Sequence, residues 1–268
     1  MDLLAREEAP LSSEDWARLD GLVVETARKY LVGRRFVPLF GPLGAGLPVV
    51  PSPELVGFSE GEAIASPQTP LMHLARLQKD FVLNYEDMET AQRLGLPIDY
   101  AAAAAAAYVV AGKEDDLIFN GCKECGAGGL TNAKGIQKVK AGTWAEAGGV
   151  FADVVKALDA LAAQGFPGPY AIAVAPSVWA LTHRPLAPAP TLESEMIEDV
   201  AKVGFFSAPA LNPKQAVVLE AGSLNMDLAV AMDFTTAYLG PDNLNHPFRV
   251  MEKVALRIKR PQAIVVVG

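Results

Sequence analysis

Only two cysteines occur in 268 residues, Cys122 and Cys125. That excludes the multi-disulfide framework that staples small secreted folds. Histidine is nearly as scarce, and His73, His183 and His246 are scattered. No HExxH pair exists, and no second knuckle completes a zinc site around the single CxxC. Basic residues are outnumbered, 23 Lys+Arg against 31 Asp+Glu, for a net charge of -8. Such a chain repels phosphate, which argues against non-specific nucleic-acid binding. No apolar run of about 18 residues is present; the longest candidate, Tyr100 to Ala111, runs into Lys113, Glu114, Asp115 and Asp116. The start, MDLLAREEAP, lacks a basic segment followed by an apolar one. The expectation is a cytoplasmic protein that does not engage a membrane.

Catalytic signatures are missing too. GPLGAG and GAGG lack the GxxxxGK[ST] spacing of a phosphate loop, no GxSxG elbow occurs, and no nucleophile stands beside a base in the sequence. The CxxC follows a predicted helix instead of opening one, so its thiolate lacks the stabilising positive helix end. Two reduced cysteines in a turn is the expected arrangement. Asp115 and Asp116 are adjacent on that helix and read as a solvated face.

What is present is globular: 51% hydrophobic and 20% charged residues. Ser12 and Asp15 form a capping-box pattern ahead of Trp16, Leu19, Val23, Ala27 and Tyr30, which recur at helical spacing from Ser13 to Leu31. This helix either packs wholly on its own core or leaves apolar surface for a partner peptide. Phe36 to Pro70 is rich in Gly and Pro, which forbids a long helix and suggests an extended arm needing a neighbour to lie on. Leu74 to Leu83 reads as a strand and Tyr85 to Arg93 as a short helix. The seven alanines from Ala101 to Ala107 open a long buried helix that Gly121 ends. Then come a Gly-rich connector, a helix from Val150 to Gln164, an inner strand at Tyr170 to Ala175, two short helices around a proline-rich loop, and β-rich segments after Pro209. The block from Val150 to Lys202 suggests a small α/β unit.

The opening LAREEAPLSSEDWARLD, then LVGRRFV and GPLGAG, resembles the encapsulins, shell proteins of bacterial and archaeal nanocompartments. EDDLIFNG, GPYA, MDLAVAMD, NHPFRV and LRIKRPQAI extend the resemblance, in order, over nearly the whole chain. It implies an α+β fold of the tailed-phage major-capsid type. Implied divisions are an N-terminal arm and cargo-binding helix at 1–36, an extended loop at 37–73, a peripheral domain with a spine helix at 74–128, an axial domain at 129–222, and a return to the peripheral domain at 223–268. The partners it implies are further copies of the chain, closing an icosahedral shell, and a cargo enzyme with a C-terminal targeting peptide. No nucleic acid is expected inside. PLGAG and NHPFRV resemble the branch whose cargo is ferritin-like and oxidises iron; a peroxidase is the second choice. The capped first helix favours an encapsulin over a phage coat protein, which typically has an extended arm there. A protease and a CxxC redox enzyme are the remaining readings.

The resemblance also implies sites. A cargo peptide would bind Leu22, Val23, Thr26, Tyr30, Arg34 and Thr236. A pore on a symmetry axis would be lined by His183, Arg184, Pro185, Leu186, Ala187, Pro188, Ala189 and Pro190. No catalytic residue, metal or cofactor is expected in this chain; Tyr85 matches the flavin position of some relatives too loosely for flavin to be expected.

Overall fold

The computed structural model describes residues 4–52, 71–186 and 191–268. The first helix is α1 (Ser13–Tyr30). Ser12 Oγ accepts the Asp15 N–H at 3.1 Å and the Asp15 carboxylate accepts the Ser12 N–H at 3.2 Å, so the capping box forms. Its buried stripe is Trp16, Leu19, Val23 and Ala27. Tyr30, expected to continue the stripe, is instead 48% exposed. It lies on the helix flank and meets Tyr108 edge-on, with ring centroids 4.6 Å apart.

Two short strands follow, β1 (Leu39–Phe40) and β2 (Val49–Pro51), and β2 pairs antiparallel with β3 (Leu71–His73). The middle of the Gly/Pro arm, residues 53–70, lies outside the described residues. After β4 (Ala75–Leu83) and α2 (Tyr85–Leu94) comes α3 (Ala101–Asn120). Asp99 accepts the Ala101 N–H at 2.8 Å. Ala103, Ala106, Ala107, Val110 and Ala111 are buried, and α1 packs along α3. Alanine serves both needs here, helix propensity and close approach of a second backbone.

A four-stranded sheet in the order β1-β9-β10-β4 lies against α1 and α3; β9 is Met226–Tyr238 and β10 is His246–Ile258. Phe248, Val250, Tyr238 and Phe81 pack with Trp16 and Leu19 in the core between them. A second sheet has five strands in the order β5-β11-β8-β6-β7, namely Gln137–Val139, Ile264–Val267, Ala216–Glu220, Tyr170–Val174 and Gly204–Ser207. Around it stand α4 (Gly149–Ala163), α5 (Pro176–Thr182) and α6 (Glu193–Val200).

Three expectations are corrected. The chain does not stay with the first sheet after residue 223: its last strand, β11, pairs with β8 and β5 in the second. IVVV is buried throughout, as a strand between two neighbours requires. Cys122 and Cys125 are joined as a disulfide, with Cα atoms 5.2 Å apart. The turn that pairs Cys122 with Ala127 folds the two residues together. Finally, Asp115 is buried, not solvated, because the chain reversal after α1 packs over it and donates hydrogen bonds to it.

Candidate functional site

α1 ends where its last turn meets β9. Beyond Leu31, a 3-10 turn (Gly33–Arg35) reverses the chain under α3. Asp115 of α3 holds this turn, accepting the Val32 N–H at 2.9 Å and the Gly33 N–H at 2.9 Å. The approach is so close that a Cβ on Gly33 would sit 2.5 Å from Ile118 Cδ1. Burial pushes the Asp115 carboxyl up to about 6, even though the two N–H groups and Arg35 favour its charge.

The same turn delivers Arg34 into a charged cluster. Its Nε donates to both Glu114 oxygens at 2.8 and 2.9 Å, Nη2 to Glu114 at 2.5 Å and Glu252 at 2.8 Å, and Nη1 to Asp233 at 2.8 Å. Glu114 and Glu252 are fully buried, whereas Asp233 is exposed. Burial alone would weaken Arg34's hold on its proton; the adjoining carboxylates outweigh that and raise its pKa.

Asp233 and Phe234 owe their position to a β-bulge. Thr235 pairs with Met251, but Met232 pairs with Lys253, so two residues of β9 oppose the single Glu252 of β10. The bulge turns Phe234 onto Ala27 and Leu31. Together Val24, Ala27, Arg28, Leu31, Arg34, Arg35, Leu39, Asp233 and Phe234 line a groove of about 490 Å³. Its floor is apolar. Its rim carries exposed Arg28 and Arg35 opposite Asp233.

Of the residues expected to bind a peptide, only Arg34 lines this groove. Val23 and Thr236 are buried and offer a peptide no surface. Leu22 is half-buried against the core, and Tyr30 lies against Tyr108, which lines a different cavity. Leu22, Thr26 and Tyr30 follow one another at four-residue steps on one flank of α1; Val24, Arg28 and Leu31 follow the opposite flank. Helical spacing identifies both flanks but not which one faces an opening. Nothing in the local sequence marks Asp233 and Phe234, since the bulge arises from pairing with β10.

In the expected pore loop, His183 Nδ1 lies 2.9 Å from the Trp179 carbonyl. Arg184 donates to the carbonyls of Leu181 and Ala145 at 2.7 Å and Trp144 at 3.0 Å. Its guanidinium is tied to the segment before α4. Pro185 bridges to Leu192, closing a loop that continues through Leu186; Ala187, Pro188, Ala189 and Pro190 lie outside the described residues. Among the described residues no cluster of three or more His, Cys, Asp or Glu could hold a metal, and no helix is long and apolar enough to cross a membrane.

Residues 1–255 match the family model described as encapsulating protein for peroxidase. The type 1 encapsulin shell protein EncA of Myxococcus xanthus is 41% identical, over 98% of this chain and 95% of the relative. The chain belongs to the encapsulin family. It is accordingly a structural shell protein and not an enzyme. A diheme-cytochrome–encapsulin shell fusion protein of Kuenenia stuttgartiensis is 39% identical over 96% of the encapsulin chain and 73% of its own length. A ferritin-like–encapsulin shell fusion protein of Pyrococcus furiosus is 24% identical over 51% and 39%. Among solved structures, a virus-like particle from Pyrococcus furiosus superposes with a TM-score of 0.77 at 18% identity, covering 95% of this encapsulin and all of that chain. The capsid of Myoviridae phage XM1 gives 0.64 at 12%, covering 88% and 91%. These two likenesses establish the tailed-phage capsid fold.

Proposed function

We propose that copies of this encapsulin close into an icosahedral shell in the cytoplasm, and that the groove beside α1 holds a targeting peptide of a cargo enzyme. The observation that carries the reading is the groove itself: an apolar floor of Ala27, Leu31 and Phe234 with a charged rim. A short extended peptide binds through a few apolar side chains in pockets and one or two polar anchors. Each apolar side chain fully buried contributes about 1.5–3 kcal/mol. Arg28, Arg35 and Asp233 are the available anchors, and Arg34 acts mainly from beneath. Of the residues implied from the sequence, Leu22 packs on the core and helps to seat α1.

The proposed cargo is a ferritin-like protein that oxidises iron. The branch resemblance of PLGAG and NHPFRV supports it, as does a relative fused to a ferritin-like domain. The iron chemistry is then the cargo's own. The loop from His183 to Pro190 is proposed to line a pore, as the family resemblance implies, with Arg184 bracing it against residues 144–146.

The test changes the exposed flank of α1. Val24→Asp with Arg28→Glu should leave shells closed by electron microscopy, while a co-expressed ferritin-like cargo no longer co-purifies. Retained cargo in intact double-variant shells overturns the groove assignment. Arg34→Glu is unsuited to this purpose, because it would place a third carboxylate beside buried Glu114 and Glu252.

A further inference from the structure

The charged cluster under the groove holds more acid than base. Glu252 is fully buried on β10. Facing it are Arg34 of the 3-10 turn, Glu114 of α3 and Asp233 of the β9 bulge; β4 presents uncharged Leu77 opposite it. Asp115 and Arg35 stand one residue further out on α3 and the turn. Four carboxylates thus gather around two guanidinium groups. Arg34 commits Nε and Nη2 to Glu114 and gives Glu252 Oε2 a single bond. Glu252 Oε1 is buried and accepts no bond from any donor. An ionised carboxylate with one oxygen stranded in this way is costly, and a proton on it removes the cost.

We propose that Glu252 keeps its proton at neutral pH, donating it to the Glu114 carboxylate, and that this proton is a latch holding the 3-10 turn, α3, β9 and β10 around Arg34. Burial, then the charge and hydrogen bond of Glu114, push Glu252 well above the usual carboxylate range. With the proton in place, Arg34 and Glu114 neutralise each other in the interior, and Asp233 stays at the water-facing edge. Without it, a net negative charge is buried beneath the groove wall. In the unfolded chain Glu252 loses its proton near the ordinary glutamate value of ~4.3. Above that value the folded state binds one proton more than the unfolded state. Stability therefore falls as pH rises, from the ordinary glutamate range up to the raised folded value. This inference concerns the subunit's own fold and holds whether or not the groove receives cargo.

The experiment uses assembled shells labelled with carboxyl-¹³C glutamate. Infrared spectra at about pH 7 should show the carbonyl stretch of a protonated glutamic acid, lost in Glu252→Gln. It should also be lost in Glu114→Gln, where the neighbouring charge that holds the proton is gone. As pH rises above the ordinary glutamate range, and until the buried group itself loses its proton, wild-type shells should lose roughly 2–4 °C of melting temperature per pH unit relative to Glu252→Gln. The absence of a protonated glutamic acid in wild type at neutral pH overturns the proposal. So does a band that persists in both variants, or an unchanged melting slope in Glu252→Gln. Should neither variant assemble, the wild-type shells decide alone: a band titrated away as pH rises supports the latch, and no band overturns it.

Discussion

Asp115 shows how far a single side chain can differ from its sequence appearance. Beside Asp116 on a helix it reads as solvated, yet it is buried beneath the chain reversal at Gly33, where it satisfies two backbone N–H groups. Removing it strands those donors, each at a cost of about 1–3 kcal/mol. Asp115→Ala is therefore expected to destabilise the subunit by roughly 2–5 kcal/mol, measured as a lower melting temperature of assembled shells. Its pH signature is separate. The folded carboxyl titrates at about 6, above the ordinary aspartate value of ~3.9. The folded state thus binds the extra proton between those values, and stability contributed by the neutral acid is lost as pH rises through about 6. Asp115→Asn, which keeps an acceptor oxygen, should flatten that portion of the melting profile. An unchanged profile would mean that the carboxyl is ordinary.

At the scale of elements, α1 and α3 are legible in the sequence, because capping and periodicity are local properties. Ser12 and Asp15 form the expected box, and Ser12→Ala should cost about 1 kcal/mol, read as a small drop in melting temperature with shells still closed. The far end of α3 is less legible. Gly121 marks a stop, but the tightness of the turn beyond it depends on a tertiary contact: a Cβ on Gly129 would lie 2.5 Å from the Phe119 carbonyl oxygen. The Cys122–Cys125 disulfide belongs to that same folded-back turn. Spacing alone allows the pair but does not require it.

One subunit leaves large apolar side chains in water. Leu71, Leu94, Leu96, Leu224 and Leu244 are each more than half exposed. They are spread over β3, the C-terminal end of α2 and the turns before and after β9, and further copies are the expected cover. Sedimentation at micromolar concentration should therefore show a closed particle and no appreciable 28.4 kDa species. A stable monomer there would contradict closure into a shell. Particles carrying DNA in place of protein cargo would point to the capsid reading instead.

The helices, the inner strands, the lack of catalytic and metal-binding motifs and, through ordered motifs along the chain, the family all follow from the amino-acid sequence. Each depends on neighbours within a few residues or on composition. Three-dimensional packing was needed to select which flank of α1 opens onto a groove, to make Asp233 and Phe234 its far wall, and to set Arg34 beneath it. Those outcomes depend on a register shift between β9 and β10 and on buried charges far apart in the chain. Glu252 lies 218 residues from Arg34, a separation at which hydrophobic periodicity carries no information about contact. For the same reason the last strand, apolar in any setting, is assigned to the second sheet only by the partners it finds there.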